Sequence, residues 1–184
     1  QKSLQINPKN VEVLTSLAES QAAGGNVSEA IITYEQVLMM NPKAGKEYKA
    51  LAELYESQRK MDQAIKSYRS YLESSSGDNA VAKKVGGYLI SKKQYEDAMK
   101  YLQMVTGKDA EDPDFRIDVA EASFHAKQYK KTVELCDLLL ASPTVSPVTQ
   151  RRGALFRAQA YELDGQDLKA ADAYQKYSSI KGVN

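Results

Sequence analysis

His125 is the only histidine of this 184-residue chain and Cys136 its only cysteine, so a cysteine–histidine nucleophile pair is the first chemistry to weigh. A reactive thiol needs an electropositive, partly exposed setting. Cys136 instead falls on a helical core position, where a thiol acts as a small buried hydrophobe. A lone cysteine also excludes an intrachain disulfide and a cysteine-only metal site, and leaves the redox compartment open. Gly24-Gly25 and Gly86-Gly87 lack the preceding strand and the Lys-Ser/Thr that a phosphate loop requires. The acids are scattered at helical surface spacing, and no His/Asp/Glu group has metal-ligand spacing. The residues therefore predict no enzyme, no cofactor and no metal.

Charge and hydropathy narrow the class further. Lys and Arg number 25 against 24 Asp and Glu, a net charge of +1, and no basic stripe emerges along the chain. Binding to a phosphate backbone needs clustered positive charge, so nucleic acid is not expected as a partner. No apolar run approaches the roughly 20 residues of a membrane-spanning helix.

What must position any site is a repeat. Ala30, Ala64, Ala98 and Thr132 each precede a similar segment (YEQVL, SYRSYL, YLQMV, ELCDLL) at intervals of 34 residues, and Ala170 follows after 38. Counting positions from Val11, the expected organisation is one array over 1–184. Residues 1–10 end a truncated copy, and repeats follow at 11–44, 45–78, 79–112, 113–150 (with four inserted residues) and 151–184. Within the second copy, Tyr48, Leu51, Ala52 and Tyr55 form one helical stripe, and Ala64, Ile65, Tyr68, Tyr71 and Leu72 another. The break at 57–60 joins them as a helical hairpin. Small residues at positions 8 and 20 allow the two backbones to approach, and large ones at 24 and 27 fill the gap. Asp112-Pro113-Asp114 and Ser146-Pro147 read as helix starts, with a cap followed by proline. Four residues are about one helical turn, so the insertion lengthens the next helix without rotating its apolar face. Residues 141–145, with Ser142, Pro143 and Thr144, are expected to be an exposed connection.

Position 8 holds Ala18, Ala52, Gly86, Ala120 and Ala158. Position 24 holds Tyr34, Tyr68, Leu102, Cys136 and Tyr174, and Pro42 and Pro8 share position 32. With the 34-residue period, this pattern resembles the tetratricopeptide repeat. The tryptophan of position 4 is missing, and the fourth copy has Thr132 and Cys136 at its small and aromatic positions. The resemblance implies an all-α fold, a right-handed superhelical α-solenoid of helix-turn-helix hairpins whose first helices line a concave groove. It also implies a non-enzymatic scaffold that holds a protein or peptide segment there.

In the family, positions 2, 5, 9, 12 and 13 tend to face the groove. Carried over, they include Lys49, Lys83, Ile90, Ile117, Glu121, Phe124, His125, Leu155, Gln159 and Leu163. Ile90, Ile117, Phe124, Leu155 and Leu163 are expected to form an exposed apolar patch, centred on Phe124, that marks the interaction site. The alternative is that the lengthened first helix of the fifth repeat covers some of them. Family members that clamp a C-terminal carboxylate carry Lys and Asn at positions 5 and 9. None of the pairs here matches (Thr15/Glu19, Lys49/Glu53, Lys83/Gly87, Ile117/Glu121, Leu155/Gln159), so that adaptor role is not expected.

Two other functions compete, a structural array that associates with its own copies and an RNA-binding helical repeat. The even charge disfavours the second. Gln1–Ile6 reads as the end of a helix whose partner is missing, so the chain is expected to be an excerpt from a longer array. The last apolar stripe, Leu168, Ala171, Tyr174, Tyr177 and Ile180, is expected to support weak end-to-end homo-association.

Overall fold

The computed structural model of the chain describes residues 8–75 and 77–180. Among these residues there are eleven helices and no strand. The expected helix end at Gln1–Ile6 lies outside the described residues. The chain divides into two compact units, residues 1–81 and 82–184, with the division inside a helix, α5 (Asn79–Ser91).

The first unit holds α1 (Pro8–Ala23), α2 (Val27–Met40), α3 (Gly45–Ser57) and α4 (Met61–Ser74). Each of α1 and α3 folds back on its successor, and α2 also packs on α3. The close approach rests on Ala18, Ala30, Ala52 and Ala64, all 0% exposed, with Val37, Tyr68 and Leu72 filling the space beside them. Two tyrosine hydroxyls find carboxylates at the edge of this thin core. Tyr55 donates to Glu35 at 2.5 Å and Tyr68 to Glu56 at 2.8 Å. Burial first, and then the carboxylate bond, raises both phenols, Tyr55 to about 12.

The second unit continues from α5 through α6 (Tyr95–Leu102), α7 (Lys108–Glu111), α8 (Pro113–His125), α9 (Tyr129–Leu140), α10 (Pro147–Leu163) and α11 (Asp167–Ser179). Here α8 pairs with α9 and α10 with α11, while α10 also lies against α8 and α9, and α6 against α8. Gly86 lets α5 close on α6, because a Cβ there would sit 2.3 Å from Leu102 Cδ2. Both expected caps are made, Asp112 accepting from the Asp114 N–H and Ser146 from the Thr149 N–H. At 17 residues, α10 is one turn longer than the 13-residue α8. Of the connection before it, Ala141, Pro143 and Thr144 are exposed, but Val145 packs on the core.

One element differs from the sequence reading. The segment YLQMV, matched to YEQVL and SYRSYL by its spacing, is helical only as far as Leu102, where α6 stops after 8 residues. Gly107, at φ 66°, then caps the extra turn α7. The β-branched Val105 and Thr106 before a left-handed glycine favour leaving the helix. Val105 still reaches the core from the turn, 6% exposed.

The turn inside each hairpin has one geometry. In the second unit, Lys93 N–H bonds Ile90 C=O and Gln94 N–H bonds Leu89 C=O, and Lys127 and Gln128 repeat this on Phe124 and Ser123. Such a cap needs one left-handed residue. Gly25 and Gly165 supply it at φ 80° and 73°, whereas Arg59, Lys93 and Lys127 each adopt φ 59°. A side chain costs roughly 1 kcal/mol in that region.

Candidate protein-binding face

Four of the positions that the resemblance assigns to a groove, Lys49, Lys83, Ile117 and Glu121, tie the fold together. In the first unit, Lys49 Nζ lies 2.7 Å from Asp78 Oδ2, and Tyr71 donates to the same oxygen at 3.1 Å. Asp78 Oδ1 accepts from the Val81 N–H at 3.1 Å, so the lysine holds the residue that caps α5. The Lys49 bond, reinforced by those of Val81 and Tyr71, keeps the Asp78 carboxyl below its usual range against the opposing effect of burial. Lys83 does the same work in the second unit, 3.6 Å from Asp109 and 3.9 Å from Asp112, the cap of α8. Glu121 is held by Arg152 at 2.7 Å, a tie between α8 and α10.

Ile117 corrects the expectation of an exposed apolar patch. It is 1% exposed and belongs to a core with Ala120, Cys136 and Leu139, against which Leu135, Leu140, Val145 and Phe156 pack. The cause is the longer α10, whose Gly153 passes so close that a Cβ there would lie 3.8 Å from Ile117 Cδ1 and 2.8 Å from Leu139 Cδ2. Ile90, Leu155 and Gln159 are half-buried, and Leu163 is 56% exposed.

A face does form around Phe124 and His125, at the end of α8. The His125 ring stacks on Tyr95 at 4.1 Å, and Phe124 meets Phe156 at 5.4 Å and Tyr129 at 6.0 Å. His125 is exposed and the other four rings are half-buried. Four helices, α6, α8, α9 and α10, thus present one aromatic surface, with Leu163 further along α10. The sequence reading missed Tyr95, Tyr129 and Phe156. Tyr95 and Tyr129 recur 34 residues apart at the first residue of α6 and α9, the one periodic signal that could have found them. Phe156 carried no such signal, because its neighbours depend on how α10 approaches α8.

Residues 1–54 match one tetratricopeptide-repeat family model and residues 48–80 a second. This is a tetratricopeptide-repeat protein. No curated protein matches the chain at a significant level. Among solved structures it is similar to YrrB, a TPR protein with an unusual peptide-binding site, at 14% identity over 91% of this chain and 84% of that one, with a TM-score of 0.63. It is also similar to MamA of AMB-1, at 17% identity over 91% and 96% of the two chains and a TM-score of 0.58. For MamA of Desulfovibrio magneticus RS-1 the identity is 12% over 95% and 96%, with a TM-score of 0.56. At these identities the likeness shows the fold, an all-α solenoid of helical hairpins.

Tetratricopeptide-repeat proteins are in general protein-interaction scaffolds, and the fold is typically non-enzymatic. In this tetratricopeptide-repeat protein the cysteine–histidine pair finds no support. Cys136 is 0% exposed, and burial pushes its thiol up to about 12, far from an ionised nucleophile. Among the described residues no group of His, Cys, Asp and Glu could hold a metal, and no helix is long and apolar enough to cross a membrane. The first unit offers a different surface, a cleft of about 610 Å³ lined by Glu12, Thr15, Glu19 and Glu47 among others.

Proposed function

We propose that this tetratricopeptide-repeat protein is a non-enzymatic scaffold that holds a protein or peptide segment on the second unit, at the face built from Phe124, His125 and Phe156. The repeat organisation that supports it is the one read from the 34-residue spacing, repeats at 11–44, 45–78, 79–112, 113–150 and 151–184. The observation that carries the reading is the aromatic surface itself. Five rings converge from the end of α8, the starts of α6 and α9 and the middle of α10, with His125 the exposed one and Leu163 further along α10. Aromatic groups of this kind supply the anchors of protein interfaces. Lys49, Lys83, Ile117 and Glu121 are occupied within the fold, so the contacts fall to Phe124, His125, Leu155, Gln159 and Leu163.

The test is selection of peptides from a displayed library against the whole chain. Bound peptides should lose affinity with Phe124→Ser and with Leu163→Glu while the helical circular-dichroism signal stays intact. Peptides insensitive to both substitutions would overturn the reading. Weak homo-association through α11 is a second proposal, favoured by Leu168 at 90% exposure. Sedimentation equilibrium over a wide concentration range checks it, and a strict monomer would remove it.

A further inference from the structure

Four lysines of the second unit sit where the local backbone disfavours them. Lys93 and Lys127 occupy the left-handed turn position that Gly25 and Gly165 fill without strain. Lys130 and Lys131 stand in the first turn of α9, where the partial positive charge of the helix end repels them. The other second helices of the hairpins place acids there: Glu29 in α2, Asp62 in α4, Glu96 and Asp97 in α6, and Asp167 in α11. The exposed His125 lies beside them at the end of α8.

These positions share one edge. The Tyr95–His125 stack at 4.1 Å joins the turn of Lys93 to the turn of Lys127, and the Phe124–Tyr129 contact at 6.0 Å joins the latter to the start of α9. Neither Lys93, Lys127, Lys130 nor Lys131 forms an ion pair among the described residues, in contrast to Lys49, Lys83 and Arg152. Of the acids on these elements, Asp97 is taken up by Lys100 at 2.6 Å, Glu162 by Tyr174 and Asp164 by Gln166, while Glu96 and Glu134 form no ion pair among the described residues. Residues that oppose local structure at several independent positions and converge on one surface point to a use for that surface.

We propose that this edge reads the charge of the bound segment, and that the segment is an acidic polypeptide. Its carboxylates meet Lys93, Lys127, Lys130 and Lys131, while an apolar side chain lies on the Phe124–His125 face. The inference rests on the reading of that face as the binding site and adds its charge class. A polypeptide suits the edge better than a polyanion, because an aromatic face with half-buried rings borders the cations and the chain as a whole carries only +1.

Fluorescence anisotropy tests it on the whole chain with two labelled probes, an acidic peptide with glutamates around Phe and Leu and its glutamine counterpart. Lys93→Gly with Lys127→Gly is the informative variant, because it removes two charges while relieving two left-handed side chains. The acidic probe should bind about tenfold more weakly to it, and the thermal midpoint should hold or rise. The glutamine probe should be indifferent. Lys130→Gln with Lys131→Gln should weaken the acidic probe in the same direction, and added salt should weaken it further. Equal affinity for both probes would overturn the inference and leave the face intact. Absence of binding by the acidic probe, or tighter binding of a single-stranded RNA or a phosphatidylserine vesicle, would overturn it too. If Phe124→Ser leaves the acidic probe bound while the double glycine variant releases it, the edge stands and the aromatic face falls.

Discussion

Lys49, Lys83 and Ile117 stand 34 residues apart, at the same position of three successive repeats, yet they join their neighbours by opposite means. Lys49 and Lys83 reach the acidic residue that caps the following helix, Asp78 in the first unit and Asp112 in the second. Ile117 has no such task, because the matching cap of its following helix is the uncharged Ser146, and α10 lies against it, burying it at 1% exposure. A charged tie at the surface contributes little, about 1 kcal/mol or less. Burial of an Ile side chain contributes roughly 1.5–3 kcal/mol. One position thus serves as a modest electrostatic clip where an acid caps the next helix, and as core where Ser146 does.

The strongest way to break the comparison is Ile117→Lys, which gives this position the residue of its two predecessors. With no acid to meet and Leu139 and Cys136 around it, the ammonium is buried and unpaired. A loss of at least 3 kcal/mol is expected in urea unfolding. A midpoint close to that of the parent would mean that α10 does not cover the site. Next in size, Ala64→Leu and Gly86→Ala should each cost roughly 1–3 kcal/mol by overpacking. Ala64 is 0% exposed, and the added Cβ at Gly86 would sit 2.3 Å from Leu102 Cδ2.

Lys49→Met sharpens the electrostatic side. At neutral pH it should cost about 0.5–1 kcal/mol, since Lys49 is 38% exposed. The folded Asp78 has a depressed pKa, so its contribution is complete above the ordinary 3.8 and is lost as pH falls through the folded value. The parent and variant midpoints should therefore converge in acid, and a constant gap would contradict the tie. The smallest effect is of opposite sign. Gly87→Ala meets nothing within 4 Å and gains helix propensity, so it should stabilise by up to about 1 kcal/mol beside the destabilising change at Gly86.

The hairpins were legible because their cause is local and periodic. Apolar stripes, small residues at close contacts and the two proline-marked caps at Asp112 and Ser146 all repeat along the chain. The early end of α6 was less visible, since Val105 keeps the apolar pattern while leaving the helix. The site was legible only in part. Phe124 and His125 were found, but Lys49, Lys83 and Glu121 have ion partners 26 to 31 residues away and Ile117 is covered by Gly153, 36 residues on, so no single repeat shows them. Tyr68 and Tyr174 teach the same lesson. Each donates to the glutamate twelve residues earlier, Glu56 and Glu162, where the third and fourth repeats carry Ile90 with Leu102 and Phe124 with Cys136. The apolar residues that suggested a patch are thus also the counterparts of a changed partner inside the hairpin. The cations at the turns escaped notice because each is one residue per repeat, and only the backbone conformation marks them.

The central claim, that binding belongs to the aromatic face of the second unit, is tested most directly by amide hydrogen exchange of the whole chain with and without a library-selected peptide. Slower exchange is expected at the end of α8, the start of α9 and the α10 segment from Phe156 to Leu163. Protection confined to the acidic cleft of the first unit, or to the outer faces of α9 and α11, would contradict it.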